Sequence, residues 1–267
     1  MKQLESQPAG EKLALLKSKY SVEVLSDWGE ANGAWKDGSW SIAELDKLNY
    51  ALNLVSDIMG GAEKFIQHLG GVTVKKSDIG SHGGEALNHQ VSLSTKGTFS
   101  AWTVAHEMAH AWDANHAWRI SVVLERYTGG FTSPTLSKVK KIFGAWDAGA
   151  DGEEILPGRH GRLRGCNLAG YFYGDKPSGS NWNFNRKEDF AEAFAMYIGW
   201  RRDNDLSTWA EGRIQRYLLE NGASDKNFGV ENWADYKKYF YPEGGDYAKT
   251  KRWKFIDELV HDRIDLA

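Results

Sequence analysis

The chain has 267 residues, of which 41% are hydrophobic, with 33 Lys and Arg set against 36 Asp and Glu for a net charge of −3. That length and balance fit one large globular domain or two small ones; they exclude disorder and give no electrostatic reason to bind nucleic acid or an anionic membrane. Cys166 is the only cysteine, which excludes an internal disulfide and a cysteine-based metal site. No apolar run reaches the length of a membrane span, and the first residues lack the apolar core of a secretory signal. The expected compartment is the cytoplasm, or the exterior by a route that needs no cleavable signal; the oligomeric state is left open.

Residues 11–19 read as a short helix, followed by a connector rich in Trp and Gly over 27–40. Ser41-Ile42-Ala43-Glu44 is a capping box. It opens a helix whose Ile42, Leu45, Leu48, Leu52, Val55 and Ile58 recur at three- and four-residue spacing, with Gly60-Gly61 as its stop. Val72-Thr73-Val74 and Gln90-Val91-Ser92-Leu93-Ser94 are the strand candidates. A strand running into the next helix can lie at the lip of a cleft, so Val91 to Ser94 are expected to offer a free edge to an extended peptide. A helix spans 100–113, and its apolar pattern resumes at Ile120, Val123 and Leu124 before Gly129-Gly130. Beyond it come a helix over 134–143, a Gly-rich stretch over 144–179 expected to form specificity loops, and helices over 186–202, 207–221 and 246–265. The expected architecture is a single α+β domain, mostly helical, with a small β-sheet beside the 100–113 helix. Within it, 1–40 form an N-terminal helix and connector, 41–127 the backing helix, sheet and metal helix, and 128–267 a helical half.

The chemistry is concentrated in His106-Glu107-Met108-Ala109-His110, an H-E-x-x-H motif. Four residues advance a helix by about one turn, so the two imidazoles share a face and can grip one Zn²⁺ ion. Glu107 stands beside them without binding the metal, as a general base in metal-assisted hydrolysis must. Val104, Ala105, Met108, Ala111 and Trp112 make the segment apolar around most of its circumference, so it is expected to be buried. Two buried imidazoles and a buried carboxylate need partners, and a metal with its water satisfies all three.

A catalytic zinc usually takes three protein ligands, and two residues compete for the third place. Glu188 lies in Asn185-Arg186-Lys187-Glu188-Asp189-Phe190-Ala191-Glu192-Ala193-Phe194. There Glu192, one turn on, shares its face and can accept the free N–H of a ligating histidine, expected to be that of His106. The same segment also reads as a helix N-cap, Asn185 with Glu188 three residues later. The other candidate is His116, which with His106 and His110 has the metzincin spacing. Asp113, however, replaces the Gly that lets that chain turn back.

These residues resemble a known family: the catalytic domain of anthrax toxin lethal factor and its relatives, the Pro-Pro endopeptidases. The likeness rests on His106-Glu107-x-x-His110 and on Asn185-x-x-Glu188-x-Phe190-Ala191-Glu192-Ala193-Phe194, with weaker support from Ala248-Lys249-Thr250 leading into Phe255-Ile256-Asp257-Glu258. It implies a zincin-like metalloprotease fold and a gluzincin site. In that site His106, His110 and Glu188 bind one catalytic Zn²⁺, Glu107 is the base and Glu192 supports a ligand from behind. The family's oxyanion-stabilising tyrosine, seven residues before the zinc-binding glutamate, corresponds to Asn181 here, so Tyr171 or Tyr173 is the expected substitute. The expected activity is that of a zinc endopeptidase acting on a peptide or protein. The alternatives are a metzincin-type peptidase using His116 and a non-catalytic zinc protein whose exposed tryptophans, among twelve in all, hold glycans or a partner.

Overall fold

A computed structural model describes residues 2–25, 40–79, 83–94, 99–127, 186–203, 248 and 251–266. The helices expected over 134–143 and 207–221, the loops over 144–179, and Asn181, Tyr171 and Tyr173 lie outside the described residues. The described chain is α+β and mostly helical, with one four-stranded sheet. Contacts divide it into two compact units, Met1–Ala117 and Trp118–Ala267; the division falls inside the expected 41–127 segment, just past the H-E-x-x-H helix.

In the first unit, α1 (Lys2–Tyr20) extends the expected 11–19 helix at both ends and buries Leu16 and Tyr20. Ser21, in the left-handed region at φ 55°, ends it and turns the chain into β1 (Val22–Val24). The Ser41 capping box opens α2 (Ile42–Ile58) as its sequence predicts: Ser41 Oγ accepts from Glu44 N–H at 3.2 Å and Glu44 accepts from Ser41 N–H at 2.8 Å. Leu45, Leu48, Ala51, Leu52 and Val55 form its buried stripe. A further short helix, α3 (Ala62–Leu69), follows Gly61, buries Phe65 and Leu69, and packs Phe65 edge-on against Tyr20 at 5.5 Å. Gly70, at φ 69°, releases the chain into the sheet.

The sheet has the order β1-β2-β4-β3, with β2 (Val72–Ser77), β3 (Gly84–Leu87) and β4 (Gln90–Ser94). β1–β2 and β2–β4 are parallel, while β3 returns antiparallel on β4 with Gly84 opposite Leu93. Leu87 and Gln90 face each other across the two-residue turn Asn88-His89, where Asn88 takes φ 53°. Asn tolerates that conformation well, which allows so tight a return. The fold therefore corrects the expected peptide-docking edge: β4 is flanked on both sides, by β2 and β3, and the outer position beside the 100–113 helix belongs to β3.

One corner of this unit is pinned by charge. Lys76, 8% exposed on β2, places Nζ 2.9 Å from both oxygens of Glu44 and 5.4 Å from the Trp40 ring. Trp40 Nε1 donates to Leu25 O at 2.9 Å, and its ring meets Phe99 edge-on at 6.0 Å. Burial alone would raise the Glu44 carboxyl pKa. Hydrogen bonds from the Ser41 N–H and from Lys76 outweigh that and hold it below its ordinary value.

In the second unit, α5 (Arg119–Tyr127), α6 (Arg186–Asp203) and α7 (Lys251–Val260) pack on one another. The last helix is shorter than the expected 246–265, ending before the left-handed Asp262. Phe190 stacks on Phe194 at 6.3 Å, and Tyr127 meets Phe255 edge-on at 5.4 Å. Tyr197 donates to Asp257 Oδ1 at 2.7 Å; burial first, and then that carboxylate, push its hydroxyl pKa up. No helix among the described residues is long and apolar enough to cross a membrane.

Candidate metal centre

The site is built on α4 (Ala101–Asn115), which follows β4. Ser100 caps it, accepting from Thr103 N–H at 3.2 Å, while Thr103 Oγ1 accepts from Ser100 N–H at 3.3 Å. With no Gly or Pro inside, the helix runs unbroken. Val104, Ala105, Met108, Ala109, Ala111 and Trp112 are all fully buried, so α4 is the central element of its unit, packed on α2, α3, β3 and β4. An apolar, all-round burial of this kind fixes the helix axis and leaves its polar side chains little freedom.

The expected His106, Glu107 and His110 come together. All three are buried, at 8%, 5% and 7% exposure, and their ligand atoms lie within 4.8 Å of one another. The imidazoles cross at 79° with centroids 4.8 Å apart, and their Nε2 atoms face each other at 3.1 Å. With zinc–nitrogen bonds of about 2.0–2.1 Å, two ligands of a tetrahedral ion stand about 3.3 Å apart. The pair is thus preset at the span of one metal ion, and the donor set of two imidazoles and a neighbouring carboxylate fits a metal site. This buried group can hold a metal ion.

Glu188 and Glu192 stand on the first turns of α6 in the second unit, Glu188 half-buried and Glu192 fully buried. The helix is buried from Phe190 to Trp200, Glu192 included. Arg186 at its start lies 3.6 Å from Glu125 of α5, and Lys187 Nζ sits 3.3 Å from the Trp118 ring centroid. The two glutamates are therefore on one helix, one turn apart, as their spacing predicts.

The structure places His116 differently from the metzincin alternative. α4 passes straight through Asp113, and the N–H of His116 closes its last turn on Trp112 O at 3.2 Å. The ring lies 6.1 Å from that of His68 and is not one of the group formed by His106, Glu107 and His110. Burial lowers its pKa, opposed by the charge of Asp113.

One residue at the site escaped the sequence reading. Gly84 on β3 faces α4 so closely that a Cβ there would stand 2.7 Å from Glu107 Cγ and Oε1. The signal for its strand was present as two short runs, Gly84-Glu85-Ala86-Leu87 and Gln90-Val91-Ser92-Leu93, separated by an Asn-led pair of turn residues. Comparison with known proteins returns no match from family models, from curated proteins or from solved structures.

Proposed function

We propose that the chain is a zinc-dependent endopeptidase of the gluzincin type, with a zincin-like fold resembling the lethal factor catalytic domain. The observation that carries this reading is the buried His106–His110 pair, its Nε2 atoms 3.1 Å apart, with the Glu107 carboxylate beside it. A histidine pair that served only packing would not need a carboxylate buried against it, and a structural metal has no use for a base. The sheet offers further support, since its antiparallel outer strand, β3, packs against the metal helix and can take an extended peptide by backbone pairing.

In this reading His106 and His110 hold the ion from α4, Glu188 supplies the third ligand and Glu192 steadies a ligating histidine. Bound zinc supplies Lewis acidity, activating water at neutral pH and polarising the peptide carbonyl. Glu107 accepts the proton of the attacking water and delivers it to the departing amine, a double duty that one carboxylate can perform from a single position. Tyr171 or Tyr173 donates to the oxyanion. Burial of the site keeps bulk water from competing for these hydrogen bonds.

The test is incubation of the zinc-loaded protein with a diverse peptide mixture, with cut sites read by mass spectrometry and Glu107→Gln as the blank. Cuts should appear with the native protein alone while both proteins retain zinc. The same peptides cut equally by both would remove Glu107 from the mechanism. No cuts by either would favour the non-catalytic zinc protein.

A further inference from the structure

We infer that Gly84 is a positioning residue for Glu107: the absence of a side chain on β3 is what holds the Glu107 carboxylate at the His106–His110 pair. The inference rests on the reading of Glu107 as the base, and deepens it.

Glycines on a strand usually answer a backbone need, and here that explanation fails. Gly60, Gly61 and Gly70 adopt positive φ, whereas Gly84 does not and pairs regularly with Leu93. Any residue could take its backbone conformation, so what Gly84 provides is space. An added Cβ would stand 2.7 Å from Glu107 Cγ, 2.7 Å from Oε1 and 3.0 Å from Cδ, well inside van der Waals contact. Gly84 therefore forms a wall against the whole outer half of the glutamate.

The clash cannot be relieved by a small bend at the tip, because Cγ is involved. Clearing Cγ requires a new χ1 setting, which swings the carboxylate away with it. The helix beneath cannot absorb the change, since Val104, Ala105, Met108 and Ala111 around Glu107 are fully buried. The carboxylate oxygen now within 4.8 Å of both imidazole nitrogens would leave that group. Alternation along the strand places the next residue on the same face, Ala86, two positions further on, so on β3 it is Gly84 that stands against Glu107.

The experiment is a double-mutant cycle in the full chain, with Gly84→Ala made in the native background and in Glu107→Ala, which deletes the three atoms nearest the new Cβ. In the native background the substitution should lower the melting temperature by about 5 °C, the effect expected of moderate overpacking. In the Glu107→Ala background most of that loss should vanish. An equal loss in both backgrounds overturns the inference, as does failure of both Gly84→Ala proteins to fold, whereas folding of the double variant alone supports it. Peptide cleavage by Gly84→Ala supplies the functional readout. kcat should fall about 100-fold, as for a catalytic group displaced by an ångström, with KM and zinc content unchanged. A raised KM with unchanged kcat would mean that the strand yields instead of the carboxylate, and would also overturn it. If the native protein cleaves nothing, the endopeptidase reading fails, and the melting cycle by itself decides whether Gly84 positions Glu107.

Discussion

Adding Zn²⁺ to the chelator-treated protein is the most direct test of the His106–His110 pair as a metal site. The Nε2 atoms of His106 and His110 are already 3.1 Å apart on a helix fixed by burial on all sides, so binding needs little rearrangement and its free energy should appear almost undiminished as folding stability. A ligand that binds only the folded state stabilises it by about 2.7 kcal/mol at a hundredfold excess over Kd and about 4.1 kcal/mol at a thousandfold excess. For a chain of this size each kcal/mol moves the melting temperature by about 2–4 °C, so saturating Zn²⁺ should raise it by roughly 8–16 °C above the chelator-treated protein.

The assay is differential scanning calorimetry across a Zn²⁺ titration, run on the native protein, His106→Ala, His110→Ala, Glu107→Gln and Glu188→Ala. Loss of either histidine leaves a single imidazole on α4 and should abolish the shift. Glu107→Gln should keep it, because the base is not a ligand. Glu188→Ala should reduce it if that residue is the third ligand. An undiminished shift in His106→Ala and His110→Ala would place the zinc elsewhere and refute the reasoning from the pair.

Two further predictions concern the frame around the site. Ser100→Ala removes the acceptor for the Thr103 N–H and should cost about 1 kcal/mol in urea unfolding, whereas Ser100→Gly should cost only a few tenths. A Ser100→Ala protein as stable as the native one would show that the hydroxyl does not act as a cap. Glu44→Gln weakens both the α2 capping box and the ion pair with the buried Lys76, and should cost about 1–2 kcal/mol at pH 7, the pair's share being discounted because the Glu44 side chain is 30% exposed. The sign with pH follows from the lowered Glu44 pKa: the native advantage is complete above the unfolded carboxyl value and disappears as pH falls through the lower folded one. Unfolding curves of the two proteins should therefore converge in acid, and a gap that widened as pH fell would contradict the ion-pair geometry.

The parts of this molecule that could be read from its sequence are those in which a local period fixes the geometry. The two histidines of α4 meet because four residues are about one helical turn, and the Ser41–Glu44 box forms because three residues bring a side chain back to its own N-cap. The same period puts Glu188 and Glu192 one turn apart on α6. It says nothing of where a second helix lies relative to the first, so helical spacing alone does not choose the third ligand. Strands of three and four residues such as β1 and β3 carry too little alternation to announce themselves, and missing β3 is what gave β4 a free edge that it does not have. Gly84 shows the limit most clearly. In the sequence it is one of two adjacent glycines ahead of a short run, the pattern of a turn, and its backbone conformation is ordinary for a strand. Its meaning lies in a contact with Glu107 on another element, and only the packing of β3 against α4 turns a missing side chain into a constraint on the proposed base.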